Sequence, residues 1–196
     1  MRDGRDAMIK LNLGCGSRKR EGFVNVDISE VCEPDEVVDL ERAPWPWGDS
    51  TVDTVLMSHV LEHLGGTTAQ FLTVMKELYR VCADGAEIAI HVPHPRHDEF
   101  LADPTHVRPI LPATMLLFSK AANIDWQDRN LANTPLALYL GVDFELARVN
   151  IHLDEPWLGK ATRGELTREE LETTIRSHNN VAKQIDMTLR VVKKAG

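Results

Sequence analysis

Leu11-Asn12-Leu13-Gly14-Cys15-Gly16, followed after a short interval by Val24-Asn25-Val26-Asp27, is the stretch that decides the fold. Ile9, Leu11 and Leu13 alternate with Lys10 and Asn12, the period-two pattern of a strand. The strand breaks into a glycine pair, which lets the backbone turn sharply and approach a ligand closely because no Cβ intervenes. A second strand, residues 24–28, then carries Asp27, a carboxylate placed to accept hydrogen bonds from both hydroxyls of a ribose. A dinucleotide site wants G-x-G-x-x-G, and Lys19 stands where the third glycine would fall. The expected ligand is therefore a nucleoside without a pyrophosphate. Ten residues separate Gly16 from Asp27, where the general nucleotide-binding pattern spaces glycines and acid by about 20, so this crossover has room for a helical turn or two at most.

Working outward, residues 36–40 read as a third strand and residues 52–57 as a fourth, separated by Pro44-Trp45-Pro46-Trp47-Gly48-Asp49, a loop in which both prolines lack an amide donor. Thr67-Thr68-Ala69-Gln70 has the spacing of a capping box. Phe71, Val74, Met75, Leu78 and Val81 then recur at helical spacing, and Asp84-Gly85 is expected to end that helix before a fifth strand over 86–92. Strands alternating with crossovers imply an α/β fold, a doubly wound and mostly parallel Rossmann-like sheet with helices on both faces. In the second half, a helix is expected around 115–122, an alternating strand with a bulge over 142–153, a capped helix from Thr167 to about Ser177, and a last strand through Ile185, Met187, Leu189 and Val191.

The 196 residues suit one domain, 1–196, with a ligand-binding half (9–92) and an acceptor-side half (93–196). Hydrophobic content of 43% and charge of 27% are ordinary for a globular chain, and no apolar run approaches the ~18 residues of a membrane span. Met1-Arg2-Asp3-Gly4-Arg5-Asp6 lacks the apolar core of a signal peptide, and Cys15, Cys32 and Cys82 are odd in number and unpatterned. Both point to the cytoplasm. With 22 Lys and Arg against 30 Asp and Glu, the net charge of −8 disfavours nucleic acid as partner. Arg18-Lys19-Arg20 reads as solvated surface.

Leu-Asn-Leu-Gly-Cys-Gly over 11–16, with Asp39-Leu40 and Val60-Leu61-Glu62-His63-Leu64 in that order, resembles the class I S-adenosylmethionine-dependent methyltransferases, in particular the small bacterial branch called type 11. The resemblance covers roughly residues 9 to 120. It implies a seven-stranded sheet, S-adenosylmethionine as cofactor, and a cofactor site built from Asn12, Gly14, Cys15, Gly16, Asp27, Ile28, Asp39, Leu40, Ser58 and His59. Gly14, Cys15 and Gly16 would lie under the methionine part, with Asp39 and Leu40 flanking the adenine. Valine at Gly14 or Gly16 is expected to abolish cofactor binding while leaving most of the fold. The resemblance also implies, from similar Asp-Pro-Thr-His segments, a setting near cell-surface sugar biosynthesis.

Methyl transfer from a sulfonium needs alignment more than elaborate catalysis. Nucleobase and glutamine N-methyltransferases carry an Asn/Asp-Pro-Pro-aromatic clamp after the fourth strand, whereas this chain has Met57-Ser58-His59-Val60. Transfer to oxygen of a small molecule or glycan is therefore favoured over nitrogen. After the fifth strand, His91-Val92-Pro93-His94-Pro95-Arg96-His97-Asp98 and Asp103-Pro104-Thr105-His106-Val107-Arg108-Pro109 gather four imidazoles, two carboxylates and two guanidiniums. The proton-accepting candidates are His59, His94, His97, Asp103 and His106, with Arg96 and Arg108 suited to grip an anion on the acceptor. His63 reads as packing or capping. His91, His94 and His97 invite a zinc reading, but Pro93 and Pro95 exclude the helix that would align them, and no metal is assigned. The rival functions are a non-catalytic S-adenosylmethionine-binding module and, behind it, a metal-dependent hydrolase centred on this loop. Trp126, Trp157 and residues 136–140 offer a dimer surface as readily as core.

Overall fold

Alternating burial marks residues 86–92 and 185–191, whereas Leu11, Asn12 and Leu13 are buried in succession rather than alternately. In the computed structural model, which describes residues 8–193, β1 (Ile9–Leu13), β2 (Val24–Asp27), β3 (Glu36–Val37), β4 (Val52–Ser58) and β5 (Cys82–Pro93) run parallel. β6 (Phe144–Leu153) and β7 (Ala182–Val191) close the sheet, β7 lying antiparallel between β5 and β6. The order is β3-β2-β1-β4-β5-β7-β6. Ile88, Ile90 and Val92 of β5 and Ile185, Met187, Leu189 and Val191 of β7 are all buried, while Glu87 and Arg190 between them face water. The Met1–Asp6 stretch read for targeting lies outside the described residues. Among the described residues no helix is long and apolar enough to cross a membrane.

The short crossover from β1 to β2 carries no helix. Two buried amides hold it instead. Asn12 donates to the Arg18 carbonyl and to Asn25 Oδ1, and Asn25 donates in turn to the Arg20 and Phe23 carbonyls while accepting from the Arg20 amide. The loop's backbone groups, which would otherwise be left to solvent, are thereby paired inside the fold.

Helix α1 (Thr68–Val81) follows its capping box: Thr67 Oγ1 accepts from the Gln70 amide and Gln70 Oε1 accepts from the Thr67 amide. Its stripe of Phe71, Val74, Met75, Leu78 and Val81 is buried. The helix does not run on to Asp84-Gly85. It stops at Val81 because Cys82 already pairs with Val52 as the first residue of β5, and Asp84-Gly85 instead forms an outward bulge before pairing resumes at Glu87. Burial pushes the Cys82 thiol up to about 12.

Four short helices fill the segment after β5: α2 (Asp98–Leu101), α3 (Pro112–Leu116), α4 (Lys120–Asp128) and α5 (Leu136–Leu140). The single helix expected over 115–122 is in fact split. Phe118 turns into the core between α3 and α4, stacking edge-on against Phe71, and Ser119 starts α4 by accepting from the Ala122 amide. Burying one such ring contributes about 1.5–3 kcal/mol, more than an unbroken helical ladder would gain here. In α5 Ala137 is buried while Leu138 and Tyr139 are exposed. Helices α6 (Trp157–Thr162) and α7 (Arg168–Ser177) precede β7, the latter opening on the Thr167–Glu170 capping box. The bulge in β6 falls between Leu146 and Arg148.

The Pro-Trp loop packs inward. Trp45 Nε1 donates to the Leu40 carbonyl, Glu77 accepts from the Trp45 amide, and Arg80 binds Glu77, Asp49 and the carbonyls of Trp45 and Trp47. Glu77→Ala removes the acceptor from a largely buried guanidinium and from a buried amide. Its expected cost is about 2–3 kcal/mol, read as a fall in the urea midpoint at unchanged m-value. An unchanged midpoint would show that this network does not anchor the loop.

Candidate functional site

The carboxyl ends of β1 to β4 surround a cavity of about 430 Å³ lined by Gly14, Asp27, Ile28, Val38, Asp39, Leu40, Glu41, His59, Val60, His63 and Leu64. A neighbouring hollow of about 390 Å³ shares Gly14 and His59 and adds Cys15, Gly16, Ser17, Arg18 and Ser58. Every residue expected at the cofactor lines one or the other except Asn12, which is buried and spends its amide on the crossover loop. Val38, Glu41, Val60, His63 and Leu64 join the lining without having been assigned to the cofactor, although Val60, His63 and Leu64 belong to the Val60–Leu64 landmark. Val38 and Glu41 flank Asp39-Leu40, the pair expected at the adenine.

Asp27 ties the second strand to the glycine turn. Its Oδ2 accepts from the Gly16 amide at 2.9 Å and its Oδ1 from the Ser29 amide at 2.9 Å, each oxygen keeping a lone pair for a further donor. Asp39 is held in the same manner, Oδ1 accepting from the Glu41 amide and Oδ2 pairing with Arg42. Asp27, Asp39 and Glu41 give the cavity a negative rim. Burial, and then the charge of Asp27, pushes the Cys15 thiol above its ordinary value.

The two glycines differ. Both have left-handed backbone, φ +64° at Gly14 and +49° at Gly16. A Cβ on Gly14 would lie 2.4 Å from Val60 Cγ2, whereas a Cβ on Gly16 would meet nothing within 4 Å. Gly14 is therefore required by the fold itself, against the expectation that valine there would leave most of the fold. Gly16 faces open space.

His59 also has positive φ, +56°, a strained backbone position for a side chain of its size. The Glu62 carboxylate, 3.5 Å from His59 Nδ1, raises the imidazole pKa against the opposing effect of burial. His59 Nε2 donates to Gln184 Oε1 at 3.2 Å, since the Gln184 amide nitrogen is already committed to Asp186.

The imidazoles of His94, His97, His63 and His106 divide into two groups. His97 is buried and fully engaged: Nδ1 accepts from the Glu99 amide as the cap of α2, and Nε2 donates to Asp154 at 3.1 Å, which lowers the Asp154 pKa. His94 is buried too, its Nδ1 accepting from the Arg96 amide, and burial lowers its pKa. Neither lines the cavity. They fasten the loop to the body of the protein, because the prolines of the segment leave backbone and imidazoles to supply its anchors. Arg96 does likewise, donating to the Arg176 carbonyl.

His106 and His63 form the other group, their rings edge-to-face with centroids 4.6 Å apart. The loop reaches them by donating the Val107 and Arg108 amides to the Glu62 carbonyl. Thr105 donates its hydroxyl proton to Asp103 at 2.6 Å, so toward His63 Nδ1 at 2.9 Å it acts as acceptor. The same hydroxyl and the Thr105 amide hold Asp103 below the usual carboxylate range. His106 Nδ1 donates to the Phe100 carbonyl at 2.8 Å. In both rings Nε2 makes no hydrogen bond among the described residues, His106 Nε2 lying 3.8 Å from Asp103 Oδ2. Arg108 lies over the Phe71 ring and donates to the Gly65 carbonyl.

No protein-family model and no curated protein matches the chain. Among solved structures, an S-adenosylmethionine-dependent methyltransferase from Archaeoglobus fulgidus is 17% identical, with 93% of this chain and 86% of that one covered and a TM-score of 0.59. A second such methyltransferase, from Methanosarcina mazei, is 15% identical over 94% of this chain and 92% of its own, with a TM-score of 0.52. The cyclase SpnF is 14% identical over 94% of this chain and 75% of its own, also at 0.52. At these identities the likeness is one of fold: the chain has the Rossmann-like fold of the S-adenosylmethionine-dependent methyltransferases.

Proposed function

We propose that the chain is an S-adenosylmethionine-dependent methyltransferase acting on a hydroxyl of a small molecule or glycan. The observation that carries this reading is the convergence on one cavity of the glycine turn, Asp27 at the end of β2 and Asp39 beyond β3. The cavity fits the cofactor. Gly16 leaves the space in front of its Cα empty, and three carboxylates rim a site for a cationic ligand. Gly14, Cys15 and Gly16 would cradle its methionine part, Asp27 its ribose, and Asp39 with Leu40 its adenine. When bound there, S-adenosylmethionine supplies a methyl group already activated on sulfur. The protein's own work is to hold the acceptor and remove its proton. His63 lines the cavity and His106 touches His63, so this pair, with Nε2 free on each, handles the acceptor's hydroxyl proton. Asp103 acts on it by fixing Thr105 and hence the His63 ring.

Asp27→Ala is expected to weaken binding of S-adenosylhomocysteine at least tenfold, about 1.5 kcal/mol, the lower range for a lost hydrogen bond to a charged group. Calorimetry on the folded variant checks it, and unchanged affinity would assign the ribose elsewhere.

Because the fold also serves a cyclase, the transfer itself has to be measured. Purified protein, methyl-labelled S-adenosylmethionine and a deproteinised extract of small molecules and glycans should yield labelled acceptor. Cofactor binding without any transferred label would favour a non-catalytic binding module.

A further inference from the structure

Glu62 is the residue that the cofactor cleft leaves unexplained. It sits in the 3-10 turn Leu61–His63 with its side chain 0% exposed, and among the described residues neither carboxylate oxygen has a hydrogen-bond partner. The nearest cationic group is His59 Nδ1, 3.5 Å from Oε1, beyond the distance of a good hydrogen bond. A buried carboxylate is retained when it is paired or coordinates a metal. Its two neighbours are suited to the second role. One ligand atom from each of Glu62, His63 and His106 lies within 4.8 Å of the others, so small side-chain rotations bring all three onto one ion at metal–ligand distances of about 2.0–2.2 Å.

The groups behind these side chains point the same way. Metal-bound imidazoles commonly donate their other ring N–H to a carbonyl, carboxylate or similar acceptor, which fixes the tautomer. His106 Nδ1 donates to the Phe100 carbonyl, and His63 Nδ1 to a Thr105 hydroxyl that is itself fixed by Asp103. Each Nε2 therefore presents a lone pair.

We propose that Glu62, His63 and His106 form a binding site for a divalent transition metal of the zinc class. Two imidazoles and one carboxylate select such ions over magnesium, which prefers oxygen ligands throughout, and three protein ligands leave a coordination position open. Since His63 also lines the cleft, that position lies at its edge. The metal's part in the reaction rests on the methyltransferase reading and takes the place of direct proton transfer to the two imidazoles: with both Nε2 lone pairs on the ion, an acceptor hydroxyl bound to it would release its proton to water more readily. Metal binding itself rests on these side chains alone.

The test titrates the full chain, freed of metal by dialysis against a chelator, with cobalt(II) chloride, following the visible absorption of the bound ion, and then displaces the cobalt with zinc chloride. One saturating equivalent is expected, with no comparable saturation by magnesium. Thr105→Val leaves all three ligands in place and should weaken cobalt binding about 10–100-fold, the usual effect of losing a group that orients a metal-bound histidine. Glu62→Gln and His106→Ala should weaken it at least as much, each variant being checked for wild-type circular dichroism. Equal cobalt affinity in the wild-type, Glu62→Gln and His106→Ala proteins, or no saturable binding up to about 1 mM, would overturn the site. S-adenosylhomocysteine titrated in parallel reports on the cleft separately, so failure of the metal site is distinguishable from failure of the methyltransferase reading.

Discussion

Gly16→Val should lower the affinity for S-adenosylhomocysteine about 100-fold or more, close to 3 kcal/mol, the upper range for forcing extra carbons into a filled space. In the free protein an added Cβ has no atom of the described residues within 4 Å. Only the left-handed backbone at φ +49° resists it, at a cost of about 1–2 kcal/mol. The variant is expected to remain folded, with a melting temperature a few degrees lower. Gly14→Val should behave differently, because its Cβ would collide with Val60 at 2.4 Å and the loss of stability would exceed that at Gly16. A Gly16→Val protein that binds the ligand normally would remove the glycine turn from the cofactor site.

The second large effect is expected at the imidazole pair. His63→Ala or His106→Ala should reduce turnover about 10²-fold, the lower range for losing a positioned proton-transfer group, while the affinity for S-adenosylhomocysteine changes far less. His97→Ala supplies the contrast. That side chain caps α2 and binds Asp154 away from the cavity, so its loss should lower the melting temperature and leave turnover per folded molecule intact. Single-turnover measurements with labelled cofactor and a confirmed acceptor separate the two. Equal losses of turnover in His97→Ala and His106→Ala would contradict the division of the histidines drawn from their contacts.

What the sequence made legible was what depends on neighbours along the chain. The glycine turn, the alternation in β5 and β7, and the Thr67 and Thr167 caps are written within a few residues of where they act, and the fold class follows from them. The bare crossover between β1 and β2 was legible as a length, but not the Asn12–Asn25 pairing that replaces its helix, because one amide must be known to face the other across the sheet. For the same reason the sequence placed Asn12 among the cofactor residues without showing that its amide holds the crossover loop. The histidines were the least legible. His94, His97 and His106 lie in one segment and look alike in sequence, yet two are consumed by capping and anchoring within the loop while the third is delivered to His63 by a backbone connection to Glu62, more than forty residues earlier. Splitting of the helix at Phe118 was equally hidden, since it is decided by where a ring finds the core.

The central claim, that the cavity at the ends of β1 to β4 is an S-adenosylmethionine site, is tested most directly by isothermal titration of the full chain with S-adenosylhomocysteine, run beside the Gly16→Val and Asp27→Ala proteins. A single saturable site is predicted in the wild type, weakened at least tenfold by Asp27→Ala and about 100-fold or more by Gly16→Val. No saturable heat up to about 1 mM ligand, or equal affinity in all three proteins, would contradict it.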